Sequence, residues 1–287
     1  MTATRYAEAN HKCMGPKYNL EKESKFIQHL DSNNLYGWAM SKPLPVRDIK
    51  SITESEIKNW GSFSEQEGKR CILEVDLEYP QELHSLHNEY PLTPERLEVN
   101  KVQKLIPDLR DKTKYVIHHK TLKLCLDLCL KLKKIHREIS FHEETWMKQY
   151  INLHTQLRTN AKSEFEKDFF KLVNNPVFGK TMENIRKRVN AGLITNAKCA
   201  KKLVSKPSFK RFIMFDERLV AVHMKKTRLV FREPVKLVIG IINISKTLMY
   251  DFHYNYMRKK YSENCRLLMT DTDSLMYEIK SEDFLET

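Results

Sequence analysis

The spacing of apolar and polar positions divides the chain into strand-like and helix-like stretches. Phe26 to Asp31 has the length and pattern of a short strand and leaves Asp31 at its end. The asparagine-rich SNNLYG that follows supplies turn residues before the chain resumes at WAM. Pro43 and Pro45 then open a stretch of mixed helical, strand and loop signals out to about His142, which reads as an insertion. Within it, ILEVDLEY alternates apolar and acidic residues as a strand does. Thr121 to Ile135 carries two periods at once, with leucine at alternate positions and Leu122, Cys125, Cys129 and Leu132 on a helical stripe. It predicts a helix turning into a strand.

From Trp146 to Arg188 the chain has good helix formers and no glycine before Gly179. Ala161, Phe165, Phe169, Leu172 and Val173 recur at helical spacing, predicting long basic helices. Ala191 to Arg232 mixes short β-rich runs (RFIMF, LVAVHM, RLVF) with lysines and arginines, predicting a basic hairpin unit. Ser245 to Lys260 predicts another helix, with Leu248, Phe252 and Tyr256 on one stripe. RLLMTDTDSLMYEI reads as strand, tight turn, strand, with Asp271 and Asp273 at the tip. No internal repeat is visible.

Composition narrows the class. With 287 residues, 41% of them hydrophobic, there is material for about two domains and a core. Only 7 glycines and 10 prolines exclude collagen-like and low-complexity architectures. The longest apolar stretch, Val235 to Ile244, is broken by Lys236 and Asn243 and falls far short of the roughly 20 residues of a membrane helix, so a bilayer-spanning role is ruled out. Fifty basic against 37 acidic residues give +13, which makes a polyanion, nucleic acid first, the expected partner. Six cysteines without CxxC spacing, and a start lacking a basic region followed by an apolar core, fit a reducing intracellular compartment.

Two acidic sites, Asp31 at a strand end and Asp271 with Asp273 on a hairpin, lie about 240 residues apart with basic helices between them. Hard divalent cations take carboxylate oxygens and share them with phosphate, so carboxylates from two adjacent strands could clamp a nucleoside triphosphate in a two-metal site. Asp-x-Asp alone is weak evidence, since most such pairs are solvated turns and nucleotide-sugar glycosyltransferases use the pattern too. On a helix, Lys171, Asn175 and Phe178 fall at i, i+4 and i+7 and share one face, opposite Phe165, Phe169 and Leu172. That face could hold phosphate oxygens, with Gly179 allowing a base pair to approach; taken alone, it reads as a solvated face with a capping glycine. Cys125, Cys129 and His136 make a weak zinc set better read as core packing, and His84 and His87 read as surface loop residues.

Three motifs carry a resemblance. DSNNLYGWAM (Asp31 to Met40) resembles the DxxSLYP motif of family B DNA polymerases, in the form found in protein-primed enzymes of viruses and Maverick-type mobile elements. KLVNNPVFGKTMENIRKR (Lys171 to Arg188) resembles KxxxNSxYG, and TDTDSLMYEI (Thr270 to Ile279) resembles DTDS. The resemblance implies an α+β fold, a right-hand palm of antiparallel sheet and helices carrying helical fingers and two insertions. By position, 1–43 and 234–287 correspond to the palm, 44–144 to a terminal-protein-binding insertion, 145–188 to the fingers and 189–233 to a second, strand-displacement insertion.

It further implies that Asp31 and Asp273 bind two magnesium ions, manganese being an alternative, with Asp271 as supporting catalytic residue. Asn34, Leu35 and their neighbours Ser32 and Asn33 would border the triphosphate by their backbone, and Tyr36 matches the sugar-discriminating tyrosine. Lys171 and Asn175 carry over as triphosphate contacts, Phe178 and Gly179 as the surface beside the nascent pair, and Arg158 and Lys162 more loosely as outer phosphate cations. On one continuous helix Arg158 and Lys171, 13 residues apart, would face different ways, so Arg158 contributes only if the chain reverses near Asn160. The implied partners are a DNA primer-template, deoxynucleoside triphosphates and a terminal protein primer, with no membrane; the nucleus or a viral replication site is the implied location.

Two departures stand out. Pro176 replaces a serine or alanine and is expected to bend the fingers helix, and Phe178 replaces a tyrosine. Fewer than 31 residues precede Asp31, so an exonuclease domain is not expected here; Asp76 and Glu78 only mimic its Asp-x-Glu and read as insertion-strand residues. The KxY motif and thumb would lie beyond Thr287, which leads us to expect weak or no synthesis from this chain alone. A non-catalytic DNA-binding remnant of a mobile-element polymerase is the competing class, and a metal-dependent glycosyltransferase a distant third.

Overall fold

The computed structural model describes residues 4, 6–53, 69–184, 188, 190–228 and 235–282. By packing, the chain forms two compact units, a larger one of residues 1–175 with 236–287 and a smaller one of residues 176–235. The fold is mixed, and every described sheet is antiparallel. None of the described helices is long and apolar enough to cross a membrane. All six cysteines are free, with Cys71, Cys125 and Cys265 buried.

In the larger unit, β1 (Lys25–Asp31) runs into a short turn and α1 (Leu35–Met40), which buries Leu35, Ala39 and Met40. The helix starts at Leu35, inside the stretch whose residues read as a turn. Its first residues are held because Asn34 takes a left-handed conformation (φ 58°) and its carbonyl accepts the Trp38 N–H at 2.9 Å.

The segment read from the sequence as an insertion follows as β2 (Leu44–Thr53), β3 (Lys69–Glu78), α2 (His84–His87), a hairpin of β4 (Glu95–Val99) and β5 (Val102–Ile106), β6 (Lys112–His118), α3 (His119–Asp127) and β7 (Lys131–Glu144). Its main sheet has the order β2-β7-β3-β6. The ILEVDLEY expectation holds: Cys71, Leu73, Val75, Leu77 and Tyr79 are buried at every second position, the period of a strand with one face on a core. The predicted helix-to-strand change also occurs, α3 ending at Asp127 and β7 beginning at Lys131.

Next come α4 (Lys148–Thr159) and α5 (Glu164–Thr181), then, in the smaller unit, β8 (Asn190–Ile194), α6 (Ala197–Val204), β9 (Phe209–Asp216) and β10 (Leu219–Met224). The smaller unit's sheet has the order β8-β10-β9, so the expected hairpin gains a third strand and a helix. The tail of the second motif at 185–187 and most of RLVF, 229–231, lie outside the described residues.

The chain closes with α7 (Val235–Asp251), a π-helical stretch (Phe252–Met257), α8 (Arg258–Tyr261) and the hairpin of β11 (Cys265–Asp271) and β12 (Ser274–Lys280). This helix begins ten residues before the predicted start, and its predicted stripe is displaced. Met249, Tyr250, His253, Tyr254 and Met257 are buried while Tyr256 is half exposed. The buried positions keep helical spacing but lie one position round from the predicted stripe, because two separate cores, not one, pack against this helix.

Two cores meet on this last helix. Leu35, Met249, Met257, Leu267, Leu275, Tyr277 and Ile279 pack beneath the sheet β1-β12-β11, while Tyr250 and Tyr254 join the insertion core of β3, β6 and α3. His87 belongs to this junction and corrects the surface-loop reading. It is fully buried, its Nδ1 lies 2.8 Å from the Tyr79 hydroxyl, and its ring meets Tyr254 edge to face. Nothing within HSLHNEY marks it as buried; the residues that cover it come from the position just after β3 and from the π-helical stretch.

Candidate active site

The sheet order β1-β12-β11 is what brings the distant acidic residues together. Strand β12 lies between the other two, and its first residue, Ser274, is paired with Asp31 on one side and Asp271 on the other. Directly paired residues share a face, so Asp31 and Asp271 stand on the same face of the sheet end. One step further, the Ser32 N–H donates to the Asp273 carbonyl at 2.7 Å, so the β1 end and the hairpin tip are hydrogen-bonded neighbours. The tip is tight: Thr272 takes a left-handed φ of 50° and the Ser274 hydroxyl donates to the Asp271 carbonyl at 3.2 Å.

Asp31 and Asp271 are exposed and Asp273 is half-buried. Among the described residues none of the three carboxylates has a cationic partner within salt-bridge distance, although the chain carries 50 basic residues. Tyr36, on the first turn of α1, reaches the same place: burial first, and the nearby Asp273 carboxylate second, push its phenol above the ordinary tyrosine range. It stays protonated, a neutral phenol near Asp273.

Among the described residues no three His, Cys, Asp or Glu side chains converge as a metal cluster. The zinc set in particular does not form, since Cys125 is buried, Cys129 is exposed and His136 bonds Asp76 at 2.8 Å. Carboxylates on neighbouring strand ends, with no cationic partner among the described residues, are the donor type that a magnesium ion takes, typically one or two of them with water and substrate phosphate completing its shell.

Asn34 and Gly37 form a pair that motif reading missed. A Cβ on Gly37 would overlap the Asn34 side-chain amide, so the absence of a side chain at 37 is what lets Asn34 fold back over α1. The signal was present as a glycine in the first turn of an otherwise apolar helix, a costly residue there unless space demands it. Leu35 is buried in the core beneath the sheet, which leaves its backbone alone available to a ligand.

The helices beyond are reached through α1, which packs on α4. The chain reverses between Thr159 and Glu164, so Arg158 and Lys171 stand on different helices and the condition on Arg158 is met. The Tyr150 hydroxyl donates to the Val173 carbonyl at 3.4 Å and the His154 and Phe170 rings lie 6.4 Å apart, which sets α4 antiparallel to α5. In that register Arg158 lies near the level of Glu166, with Lys171 roughly 8 Å further along the axis at 1.5 Å per residue. Lys162 sits in the turn, and Lys171 and Asn175 are exposed on α5, whereas Asn174 is buried. The stripe opposite is not a core face: Phe165 is 79% exposed and Leu172 62%. Phe178 and Gly179 belong to the smaller unit, and nothing lies within 4 Å of where a Gly179 Cβ would stand.

Asp76 and Glu78 behave as insertion-strand residues. Asp76 accepts from the Lys114 N–H at 2.8 Å and pairs with His136, and Glu78 pairs with Lys131 and Lys133. Those contacts hold both carboxyls below their ordinary range, with the Lys114 N–H the larger influence on Asp76 and Lys133 on Glu78.

No protein-family model and no curated protein sequence matches the chain. Solved structures do. Phi29 DNA polymerase in an orthorhombic crystal form superposes with a TM-score of 0.53 at 16% identity, over 93% of this chain and 41% of that one. The same polymerase with primer-template DNA and incoming nucleotide substrates gives 0.53 at 16% over 92% and 40%, and its binary complex with primer-template DNA 0.51 at 15% over 92% and 40%. At this identity the likeness is one of fold, and the chain spans about two fifths of the polymerase's length.

Proposed function

We propose that this chain is the palm and fingers part of a template-directed DNA polymerase of the protein-primed kind. The observation that carries the reading is the pairing of Asp31 with Ser274 and of Ser32 with Asp273, which brings together the backbones of two acidic motifs more than 240 residues apart, with no cationic partner to their carboxylates among the described residues. The fold shared with Phi29 DNA polymerase, whose structures hold primer-template DNA and nucleotide substrates, supports it.

In this reading Asp31 and Asp273 hold magnesium, with Asp271 on the same face in support. The metal supplies a lowered pKa for the primer hydroxyl and charge neutralisation for the departing pyrophosphate. The protein's own share is positioning. The turn from Ser32 to Leu35 presents backbone groups to the triphosphate, and Tyr36 sets a neutral ring where the sugar would lie and excludes a ribose 2′-hydroxyl. Lys171 and Asn175 offer a cation and an amide from α5, with Arg158 and Lys162 as outer cations that draw phosphate in. Phe178 and Gly179 border the new base pair. Residues 44–144 are assigned to holding a priming protein and 189–233 to strand displacement.

The test separates binding from turnover. Titration with Mn2+ and a deoxynucleoside triphosphate, followed by calorimetry, is expected to give a site that Asp31→Asn and Asp273→Ala weaken by at least about a hundredfold, since a metal contact contributes several kcal/mol. Primer extension by the unaltered chain is expected to be slow and distributive and to vanish in both variants. Metal and nucleotide affinity unchanged by both substitutions would overturn the reading and leave a non-catalytic DNA-binding remnant.

A further inference from the structure

The smaller unit holds most of the protein's charge imbalance. Residues 176–235 contain 15 basic and 4 acidic residues, or +11, while the remaining 227 residues contain 35 and 33, or +2. Sixty residues with that excess form the electropositive part of the molecule. Within this unit α6 leans over the sheet β8-β10-β9 without closing on it, leaving a groove of about 730 Å3. Ala200 and Val204 of α6 form one wall, and Phe212 and Met214 of β9 the other. The wall residues are large and uncovered: Phe212 is 51% exposed and Met214 63%. At the groove stand two cations, Lys201 and Arg218, and one carboxylate, Glu217; neither cation has an ion-pair partner among the described residues.

We infer that this groove seats an unpaired nucleotide of a single nucleic-acid strand, its base against Phe212 and its phosphate at Lys201 and Arg218. An apolar ligand alone would leave the cations unanswered, and a plain polyanion would leave the aromatic wall in water. A single strand satisfies both, because every base offers a flat apolar face and every linkage a negative charge, and stacking of a base on an aromatic ring tolerates any sequence. Duplex DNA offers the charge but keeps its bases stacked and out of reach. An acidic amphipathic helix of a protein partner has the right charges too, but an excess of eleven over so short a segment matches a continuous polyanion better than a few carboxylates. The inference stands on the groove and the charge and does not depend on the metal site.

Fluorescence anisotropy of the full chain with a fluorescein-labelled 12-nucleotide oligo-dT, and with a duplex of the same length, tests it. Phe212→Ala is expected to weaken oligo-dT binding about fivefold or more, to leave duplex binding unchanged and to leave the salt dependence of the single-strand affinity unchanged. Arg218→Ala is expected to reduce the slope of log affinity against log salt for the single strand by about 0.7. Phe212 is half exposed, so its variant should fold; circular dichroism checks this, and Met214→Ala provides a second probe of the same wall. Phe212→Ala should keep the Mn2+ and deoxynucleoside triphosphate affinity of the unaltered chain, which keeps this outcome separate from that of the polymerase reading. Equal losses on single strand and duplex, or no loss in either wall variant, would overturn the inference. So would binding of an acidic amphipathic model peptide that Phe212→Ala abolishes while oligo-dT binding persists.

Discussion

At the scale of single residues, the chain spends stability in two different places. Around the acidic site the carboxylates have no cationic partner among the described residues, and in the buried junction histidines stay neutral. Burial foremost, with Arg258 next, pulls His87 down to about 4 and His253 down to about 3. Both lie below the unfolded value near 6.5, so their contribution is complete above that pH and is lost as pH falls toward the folded values, where the unfolded chain binds protons that the native one refuses. Denaturant unfolding between pH 7 and pH 4.5 should therefore show stability dropping below about pH 6.5, by about 1 kcal/mol per pH unit for each histidine. A flat profile would mean these rings are not sealed from water. Gly37 supplies the complementary test: Gly37→Ala must displace the Asn34 side chain, and a nucleotide affinity reduced by about tenfold with little change in melting temperature is the expected result.

At the scale of elements, α5 carries a proline in its interior. It is assigned as one helix from Glu164 to Thr181, with Lys171 and Asn175 before Pro176 and Phe178 and Gly179 after it. Proline cannot donate to the Leu172 carbonyl one turn back, so the helix lacks a bond at the boundary between the two compact units. Pro176 is exposed, and Pro176→Ala should cost no packing and raise stability by about 1–2 kcal/mol, read as a higher urea midpoint. The strands were the most legible elements because their period is short and their burial one-sided: β3 alternates faultlessly from Cys71 to Tyr79. The last helix was the least legible. Its buried face is set by two cores, one beneath the sheet β1-β12-β11 and one formed by β3, β6 and α3, and no local spacing announces which of its faces they take.

At the scale of the whole molecule, charge and chemistry are segregated. The acidic site lies in the larger, nearly neutral unit, and the smaller unit carries +11. Affinity for DNA should therefore weaken steeply with salt, by about a hundredfold between 50 and 200 mM if about four phosphates are neutralised. Reversing Lys201 and Lys202 to glutamate should weaken it far more than reversing Lys123 and Lys131 of the larger unit, compared in one filter-binding series. Equal effects would show that the charge segregation has no bearing on DNA binding.

The sequence by itself determined β1, β3, the start of β7 and the final hairpin, the two acidic motifs, the helical pair and the excess of positive charge, because each is written in neighbours a few residues apart. The tertiary structure decided the rest. It alone set β12 between β1 and β11, which makes neighbours of Asp31 and Asp273; it sealed His87 under Tyr79 and Tyr254, and it left the Phe165 and Leu172 stripe in water. Strand order and burial depend on contacts between segments far apart in the chain, and local spacing carries no record of which distant partner will arrive.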